Sequence, residues 1–200
     1  MEIKLFSGFS NTYLIFYDGE GIIVDSGNPI SHVKEYARNL EITAILITHG
    51  HFDHYIYLEE YKREFNCPTY MNPKDRFLVD DPSWIFEKFG IHLDYIPRVE
   101  GELREGDEFV IGGETLRIIE IPGHSPGSVG IVGEKFVIVG DLIFEGGGVG
   151  RTDIPGGDES LLKESIRRIL EFPEDFWVYP GHGKPFKVGD TKKWIRWLLF

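Results

Sequence analysis

Four side chains that can bind a metal ion lie within six positions of one stretch, "ITHGHFDHYIY", which covers residues 47 to 57. They are His49, His51, Asp53 and His54, and they directly follow a predicted apolar strand. Imidazole and carboxylate groups suit zinc, iron or manganese, and Gly50 lets the backbone turn both neighbouring histidines toward one centre. The stretch therefore predicts a metal site. The alternative is an ordinary polar loop in which Asp53 caps a helix.

Similar donors follow three other predicted strands further along the chain. His124 lies in "IPGHSPGS", Asp141 ends "FVIVGD" and His182 lies in "VYPGHG", so each stands beside glycine just after an apolar run. One such coincidence would fit a polar loop, but its repetition at several strand ends favours a metal site. His32 and His92 lack this setting, and we interpret both as surface or packing residues.

The number of donors predicts more than one ion, because seven ligands are too many for a single tetrahedral metal. Two metal ions about 3.5–4 Å apart that share a hydroxide form a common hydrolytic arrangement. Zinc is the first candidate, and iron or manganese would accept the same donors. The predicted ligands are His49, His51 and His124 for one ion, Asp53, His54 and His182 for the other, and Asp141 as the bridge.

The elements that must position these donors fall into two batches of short strands, each followed by helices. In the first batch, helices are predicted at "SHVKEYARNL", with Ser31 as a possible N-cap, and at "YIYLEEYKREF". Its strands are "EIKLF", "TYLIFY", "GIIVDSG", "TAILIT" and "CPTYM". Residues 74 to 106 hold several aromatics that we expect mainly in the core, although they could instead form a partner surface: Phe77, Trp84, Phe86, Phe89 and Tyr95.

In the second batch, "DEFVIGGETLRIIEI" predicts a hairpin around residues 112–113, and "SVGIVGEKFVIVGD" predicts a second strand pair. The strand "FWVYP" and a closing helix "TKKWIRWLLF" follow. The helix "DESLLKESIRRILEF" is expected to turn five side chains inward: Leu161, Leu162, Ile166, Ile169 and Leu170. We therefore predict one α/β (α+β) domain over residues 1–200, with two mixed sheets and helices outside them.

Composition limits the partners and the location of the protein. A formal net charge of −12 argues against nucleic acid as a partner, because phosphate binding needs clustered Lys and Arg. The single cysteine, Cys67, offers no internal disulfide, and we find neither a signal-peptide pattern nor a run long enough to span a bilayer. The sequence predicts a cytoplasmic protein that acts on a small molecule.

At this point the motifs resemble a known family. "THGHFDH", "PGHSPGS", "GD" and "GHG", in this order, are similar to the metallo-β-lactamase superfamily, and "VDSG" matches its early Asp-x-Gly turn. The segment "GDLIFEGGGVGRTDIPGGD" is similar to the glyoxalase II branch. The resemblance implies a four-layer αββα sandwich of two mixed sheets with helices on the outer faces. It also implies the same division of ligands between two metals, a supporting role for Asp25, and hydrolysis of an anionic glutathione thioester such as S-lactoylglutathione.

The chain departs from this family in ways that bear on the substrate. Ile56 and Tyr57 stand where the family has two glycines. The longer members of the branch have a C-terminal helical domain with basic residues for glutathione, whereas here only "TKKWIRWLLF" follows the last predicted strand. Candidates for substrate binding are Arg151, Lys184 and Tyr57.

The expected mechanism is attack by a metal-bridging hydroxide on the substrate carbonyl, with Asp53 and Asp141 orienting the nucleophile and Asp53 accepting its proton. Two alternatives stay open at this point. One is a persulfide dioxygenase with a single iron held by two histidines and an aspartate. The other is a metal-bound binding module without turnover, in which the region of Ile56 and Tyr57 blocks the cleft.

Overall fold

The structure, a computed structural model, describes residues 1–81, 83, 85, 90–91 and 95–195. The chain divides into two compact units. The first unit comprises Met1–Leu103 and Ile111–Glu114, and the second comprises Arg104–Val110 and Thr115–Phe200. In the described part of the chain, no helix is both long enough and apolar enough to cross a membrane.

The sheet of the first unit has six strands among the described residues, in the spatial order β1 to β6. The first three strands pair antiparallel, and β3 to β6 pair parallel. The strands are β1 Glu2–Ser7, β2 Asn11–Tyr17, β3 Glu20–Val24, β4 Glu41–Ile47, β5 Thr69–Met71 and β6 Gly101–Glu102. The helices are α1 Ile30–Ala37, α2 Leu58–Phe65 and α3 Arg76–Asp80, with 3₁₀ turns at Phe52–His54 and Pro73–Asp75.

Parallel pairing in the first sheet decides where polar side chains meet. Both β3 and β4 are apolar and buried along most of their length, as expected for parallel strands covered by helices. They pair so that Val24 lies opposite Leu46, which places their carboxyl ends side by side. Helices α1 and α2 join these strands in one core cluster, which includes Leu14, Ile23, Val33, Ala37, Ile45, Leu58 and Tyr61.

The second sheet has the spatial order β12-β11-β10-β9-β8-β7 among the described residues. Strands β10 and β11 are parallel, whereas β8, β9 and β10 form an antiparallel meander. The strands are β7 Glu108–Ile111, β8 Glu114–Glu120, β9 Val129–Val132, β10 Phe136–Gly140, β11 Trp177–Pro180 and β12 Phe186–Lys187. The helices are α4 Glu159–Leu170 and α5 Val188–Trp194, with a 3₁₀ turn at Glu145–Gly147.

Helix α4 confirms most of the predicted apolar face. Asp158 caps its first turn by accepting hydrogen bonds from the backbone of Ser160 and Leu161. Leu162, Ile166 and Ile169 are buried in the core cluster of the second unit. The prediction was wrong for Leu161, whose side chain is 39% exposed. This residue lies in the first turn, beside the cap, on the edge of the apolar stripe.

Three helix predictions need correction at their ends. Ser31 is not the N-cap of α1, because the helix begins at Ile30 after Pro29 and no side chain caps it. Instead, the backbone N–H of Ile30 donates to the Glu60 carboxylate at 3.2 Å. The predicted helix at residues 55–65 begins only at Leu58. The predicted closing helix starts earlier than expected, at Val188, and is described as far as Trp194, while residues 196–200 of the prediction lie outside the described residues.

The aromatic segment of residues 74 to 106 is only partly a core segment. Phe77 is 47% exposed, against the expectation, and the Tyr95 side chain is partly buried. Trp84, Phe86 and Phe89 lie outside the described residues.

Candidate metal centre

The donors of the first unit lie where β3 and β4 end. Directly after β3, Asp25 adopts a left-handed conformation with φ of 59°, which aspartate tolerates better than most residues. Its backbone N–H donates to the carbonyl of Leu46 on β4. Its carboxylate accepts hydrogen bonds from the backbone N–H and the hydroxyl of Thr48, both at 2.8 Å. Asp25 is fully buried, so these bonds fasten the two strand ends together.

Counting hydrogens at this junction assigns the protonation of two histidine rings. Nδ1 of His54 lies 2.7 Å from Oδ2 of Asp25, and this oxygen accepts, so Nδ1 carries the hydrogen. The single hydroxyl hydrogen of Thr48 is donated to Asp25, so Thr48 accepts from Nδ1 of His49 at 3.0 Å. A neutral ring with its hydrogen on Nδ1 keeps its lone pair on Nε2, the form in which imidazole binds a metal.

Asp75 holds the loop between His49 and His51, although sequence reasoning did not identify it. Its carboxylate accepts the backbone N–H of Gly50 at 2.7 Å, and its side chain is fully buried. A Cβ atom at Gly50 would lie 2.9 Å from the backbone oxygen of Asp75, so glycine is needed for this close approach. Asp75 follows β5, the parallel neighbour of β4, and that strand-end position is the signal that could have revealed it.

The four donors of the first unit lie close together. The ring centroid of His49 is 4.7 Å from that of His51 and 4.1 Å from that of His54. Nε2 of His54 lies 3.7 Å from Oδ2 of Asp53, whose side chain is 21% exposed. The backbone carbonyl of Asp53 accepts a hydrogen bond from the hydroxyl of Ser10 at 2.9 Å, which anchors this loop to the β1–β2 turn.

The donors of the second unit also gather at strand ends. Asp141 follows β10, His182 follows β11, and these two strands are parallel neighbours. The backbone N–H of Gly181 donates to the carbonyl of Gly140, which aligns both ends. Oδ2 of Asp141 lies 3.4 Å from Nε2 of His182 and 3.6 Å from Nε2 of His124. Asp141 therefore lies close to both imidazoles, and its role as a bridging ligand stays a prediction.

His124 is oriented by backbone and not by an acidic side chain. Its Nδ1 lies 2.8 Å from the carbonyl of Arg151, which can only accept, so Nδ1 carries a hydrogen and the neutral ring has its lone pair on Nε2. Gly150 makes that contact possible, because a Cβ atom there would lie 1.8 Å from the carbonyl oxygen of Asp141. The guanidinium of Arg151 binds the carboxylate of Asp153 with two bonds of 2.7 Å, which raises the pKa of the arginine.

The donor set fits divalent metal ions. Within the described residues, three groups of histidine and aspartate side chains could hold a metal ion, and each of the seven predicted ligands belongs to at least one group. Neutral imidazoles with Nδ1 engaged, together with carboxylates, are ligands that zinc, iron and manganese accept. The division of the ligands between two ions stays a prediction.

The remaining predicted site residues lie as follows. Lys184 is exposed and Tyr57 is partly buried, and neither is tested as a substrate anchor. His32 is exposed, as predicted, and His92 lies outside the described residues. The hydroxyl of Tyr95 lies 2.7 Å from the carbonyl of Tyr55 and 2.9 Å from that of Ile56, so it supports the backbone where the two family glycines are missing.

Comparisons with known proteins agree with this geometry. The model of the metallo-beta-lactamase superfamily matches residues 6–182. Hydroxyacylglutathione hydrolase GloC of Haemophilus influenzae is 31% identical, over 96% of this chain and 95% of its own. The crystal structure of BLEG-1 B3 metallo-beta-lactamase has a TM-score of 0.90 at 30% identity and covers 100% of both chains. A structure of TTHA1623 in a di-iron-bound form has a TM-score of 0.83 at 29% identity, covering 97% of this chain and 98% of its own. The predicted fold class is confirmed.

Proposed function

Because the chain belongs to the metallo-β-lactamase superfamily, we propose that it is a binuclear metal-dependent hydrolase of glutathione-type acyl thioesters such as S-lactoylglutathione. The proposal names two divalent ions, with zinc first, a small anionic substrate and a cytoplasmic location. Its substrate class is supported by the similarity to the Haemophilus influenzae hydrolase, which extends over nearly the whole of both chains.

The observation that carries the hydrolytic part of the proposal is the hydrogen bonding of Nδ1 in three predicted ligands. His49, His54 and His124 each have Nδ1 in a hydrogen bond, and in the neutral ring with its hydrogen on Nδ1 the lone pair is on Nε2. Bound divalent ions would supply a water of lowered pKa and would polarise a carbonyl group. The protein's part is to hold the ligands in this form before any metal arrives.

Two carboxylates have the exposure that the reaction needs. The side chain of Asp53 is 21% exposed and that of Asp141 is 13% exposed, so both are sheltered while Asp53 stays reachable from solvent. In the proposal Asp53 accepts the proton of the nucleophile and Asp141 orients it. The thiolate leaving group needs little protonation, because thiols ionise near pH 8.5. A separate general acid is therefore not required.

Two other reactive side chains of the first unit are poor alternatives to the predicted metal ligands. Burial raises the pKa of Tyr55 far above its usual range, with further contributions from Tyr95 and Asp53, so its hydroxyl stays protonated. Burial also raises the pKa of the Cys67 thiol to about 11, and this side chain is 9% exposed. A cysteine nucleophile is therefore disfavoured.

The test combines metal content per chain with turnover of three substrates: S-lactoylglutathione, glutathione persulfide with oxygen, and a chromogenic cephalosporin. About two metal ions per chain and thioester hydrolysis would support the proposal. One iron with oxygen uptake, cleavage of the β-lactam alone, or no turnover with metal bound would each overturn it. Asp141→Ala should lose metal and activity, whereas Asp175→Ala, at an exposed position of the same unit, should keep both.

A further inference from the structure

An aromatic side chain projects from the turn between β1 and β2. Phe9 is 56% exposed, although a phenylalanine side chain is usually buried. Its ring centroid lies 6.3 Å from that of Tyr57, at an interplanar angle of 45°. Tyr57 is one of the two residues that replace the family glycines, so this pair exists because of that departure.

Beside the pair lies a small open cavity of about 320 Å³. Its lining includes Gly8, Phe9, Gly27, Pro29, His32 and Tyr57. None of the described lining residues is Lys, Arg, Asp or Glu. The volume is at the lower end of the range of small-molecule pockets, so it suits a fragment of a small molecule.

Two N–H donors of the cavity wall are turned toward the backbone. The side-chain nitrogen of Asn28 lies within hydrogen-bond distance of the carbonyls of Phe6 and Ser10, at 2.8 and 3.1 Å. The backbone N–H of Phe9 donates to the carbonyl of Gly27 at 2.9 Å. These two donors are therefore not available to a ligand, and Phe9, Pro29 and Tyr57 give the cavity apolar and aromatic surface.

The cavity is attached to the loop that carries a predicted metal ligand. The hydroxyl of Ser10, next to Phe9, donates to the carbonyl of Asp53 at 2.9 Å. A Cβ atom at Gly27 would lie 2.1 Å from the hydroxyl oxygen of Ser10 and 2.8 Å from the carbonyl of Asp53. Since Tyr57 follows Asp53 by only four residues, both walls of the cavity are fixed to the ligand loop.

We propose that Phe9 and Tyr57 form the pocket for the hydrocarbon part of the acyl group, an inference that rests on the proposed thioester hydrolysis. The charge pattern supports the acyl end of the substrate, because the glutathione end carries carboxylates and an ammonium group, and the described lining has no Lys, Arg, Asp or Glu to pair with them. The pocket makes the protein prefer acyl groups that are longer and more apolar than lactoyl.

Binding of thioether analogues tests the pocket without relying on turnover. Calorimetry would compare S-hexylglutathione with S-methylglutathione on the zinc-loaded protein. The wild type should bind the hexyl compound at least about tenfold more tightly, because methylene groups leave water. Phe9→Ala should lose most of this preference and Phe9→Leu should keep most of it. Tyr36→Ala, which removes an equally exposed aromatic away from the cavity, should match the wild type.

Equal affinity for both analogues, or a hexyl preference that survives Phe9→Ala, would overturn the inference. Kinetics separates this failure from failure of the proposed function. If thioesters are hydrolysed, the ratio of kcat/KM for hexanoyl over acetyl glutathione should fall in Phe9→Ala and not in Tyr36→Ala. A protein that hydrolyses no thioester could still prefer the hexyl analogue in a Phe9-dependent way. That result would overturn the proposed function but would support Phe9 as part of an apolar binding pocket.

Discussion

At the scale of single residues, Thr48 connects the support for two metal-binding rings. Its hydroxyl donates to Asp25 and accepts from His49, while Asp25 also holds His54. The resemblance to the superfamily implied the role of Asp25, but counting metal donors passes over a threonine. The role of such a hydroxyl group can be recognised only when its hydrogen-bond partners are known. Its effect is to determine which ring nitrogen of the neighbouring histidine carries the hydrogen.

Replacing Thr48 by valine should weaken metal binding without unfolding the protein. The substitution keeps the side-chain shape and removes the acceptor for the Nδ1 hydrogen of His49, so the apparent metal dissociation constant should rise about 10- to 100-fold. Competition with a chromogenic chelator would measure it. Thr43→Val is the matched control, because Thr43 lies near the start of β4, where its hydroxyl donates to the Gly21 carbonyl at 3.3 Å. Unchanged affinity in a folded Thr48→Val protein would refute the role.

At the scale of the elements, helix α4 shows what periodicity can and cannot predict. The 3.6-residue repeat identified Leu162, Ile166 and Ile169, because side chains one turn apart must share a face. It also included Leu161, which is 39% exposed. The sequence periodicity is the same for a leucine at the border of an apolar stripe whether another element buries its side chain or leaves it exposed.

Substitution of a buried residue of α4 should reduce stability much more than substitution of an exposed one. Ile166→Ala should lower the free energy of unfolding by about 2–5 kcal/mol, because Ile166 is only 1% exposed and its loss leaves a cavity. Leu161→Ala should change it by less than about 0.5 kcal/mol. Urea denaturation of both variants would measure the difference. Similar losses for the two variants would show that the helix is packed differently.

An ion pair joins α4 to the segment before β7, and it should make stability depend on pH. Arg168 binds the Glu105 carboxylate with bonds of 3.0 and 2.7 Å, and this contact keeps the pKa of Glu105 below its usual value. Because the folded-state pKa is lowered, the stabilisation is present above about pH 4.5 and is lost as the pH falls through the folded-state value.

Arg168→Ala should therefore cost stability at pH 7 and little at the acidic end of the folded range. The side chains of Arg168 and Glu105 are 41% and 44% exposed, so we expect the electrostatic part to be below about 1 kcal/mol. Thermal unfolding of wild type and variant from pH 3 to 8 would show the difference. Arg167→Ala, an exposed neighbour, is the control. A stability difference independent of pH would assign the effect to packing instead.

At the scale of the whole molecule, apolar runs, turn residues and the order of strands and helices were enough to predict two mixed sheets with helices, although three helices differ from the prediction at their ends. The strand ends that carry Asp141 and His182 were also predictable, because glycine and a metal donor follow each apolar run. Asp75 and Ser10 were not, since each acts on a loop that is distant in sequence, and only parallel pairing or turn geometry brings them there. Contacts with backbone atoms of a distant loop cannot be predicted from local sequence patterns, because a backbone atom is the same in every residue type.

Removal of metal should lower the stability of the whole protein. The predicted ligands follow several separate strand ends, so the ions can be held fully only by the folded chain. A ligand that binds only the folded state at 100 times its dissociation constant stabilises it by about 2.7 kcal/mol. The melting temperature should therefore rise with added zinc and fall with a chelator. Asp141→Ala, measured in the same way, should respond to neither, because it lacks the proposed bridging carboxylate. A chelator shift of equal size in wild type and Asp141→Ala would contradict the predicted site, since the stabilising metal would then be bound elsewhere.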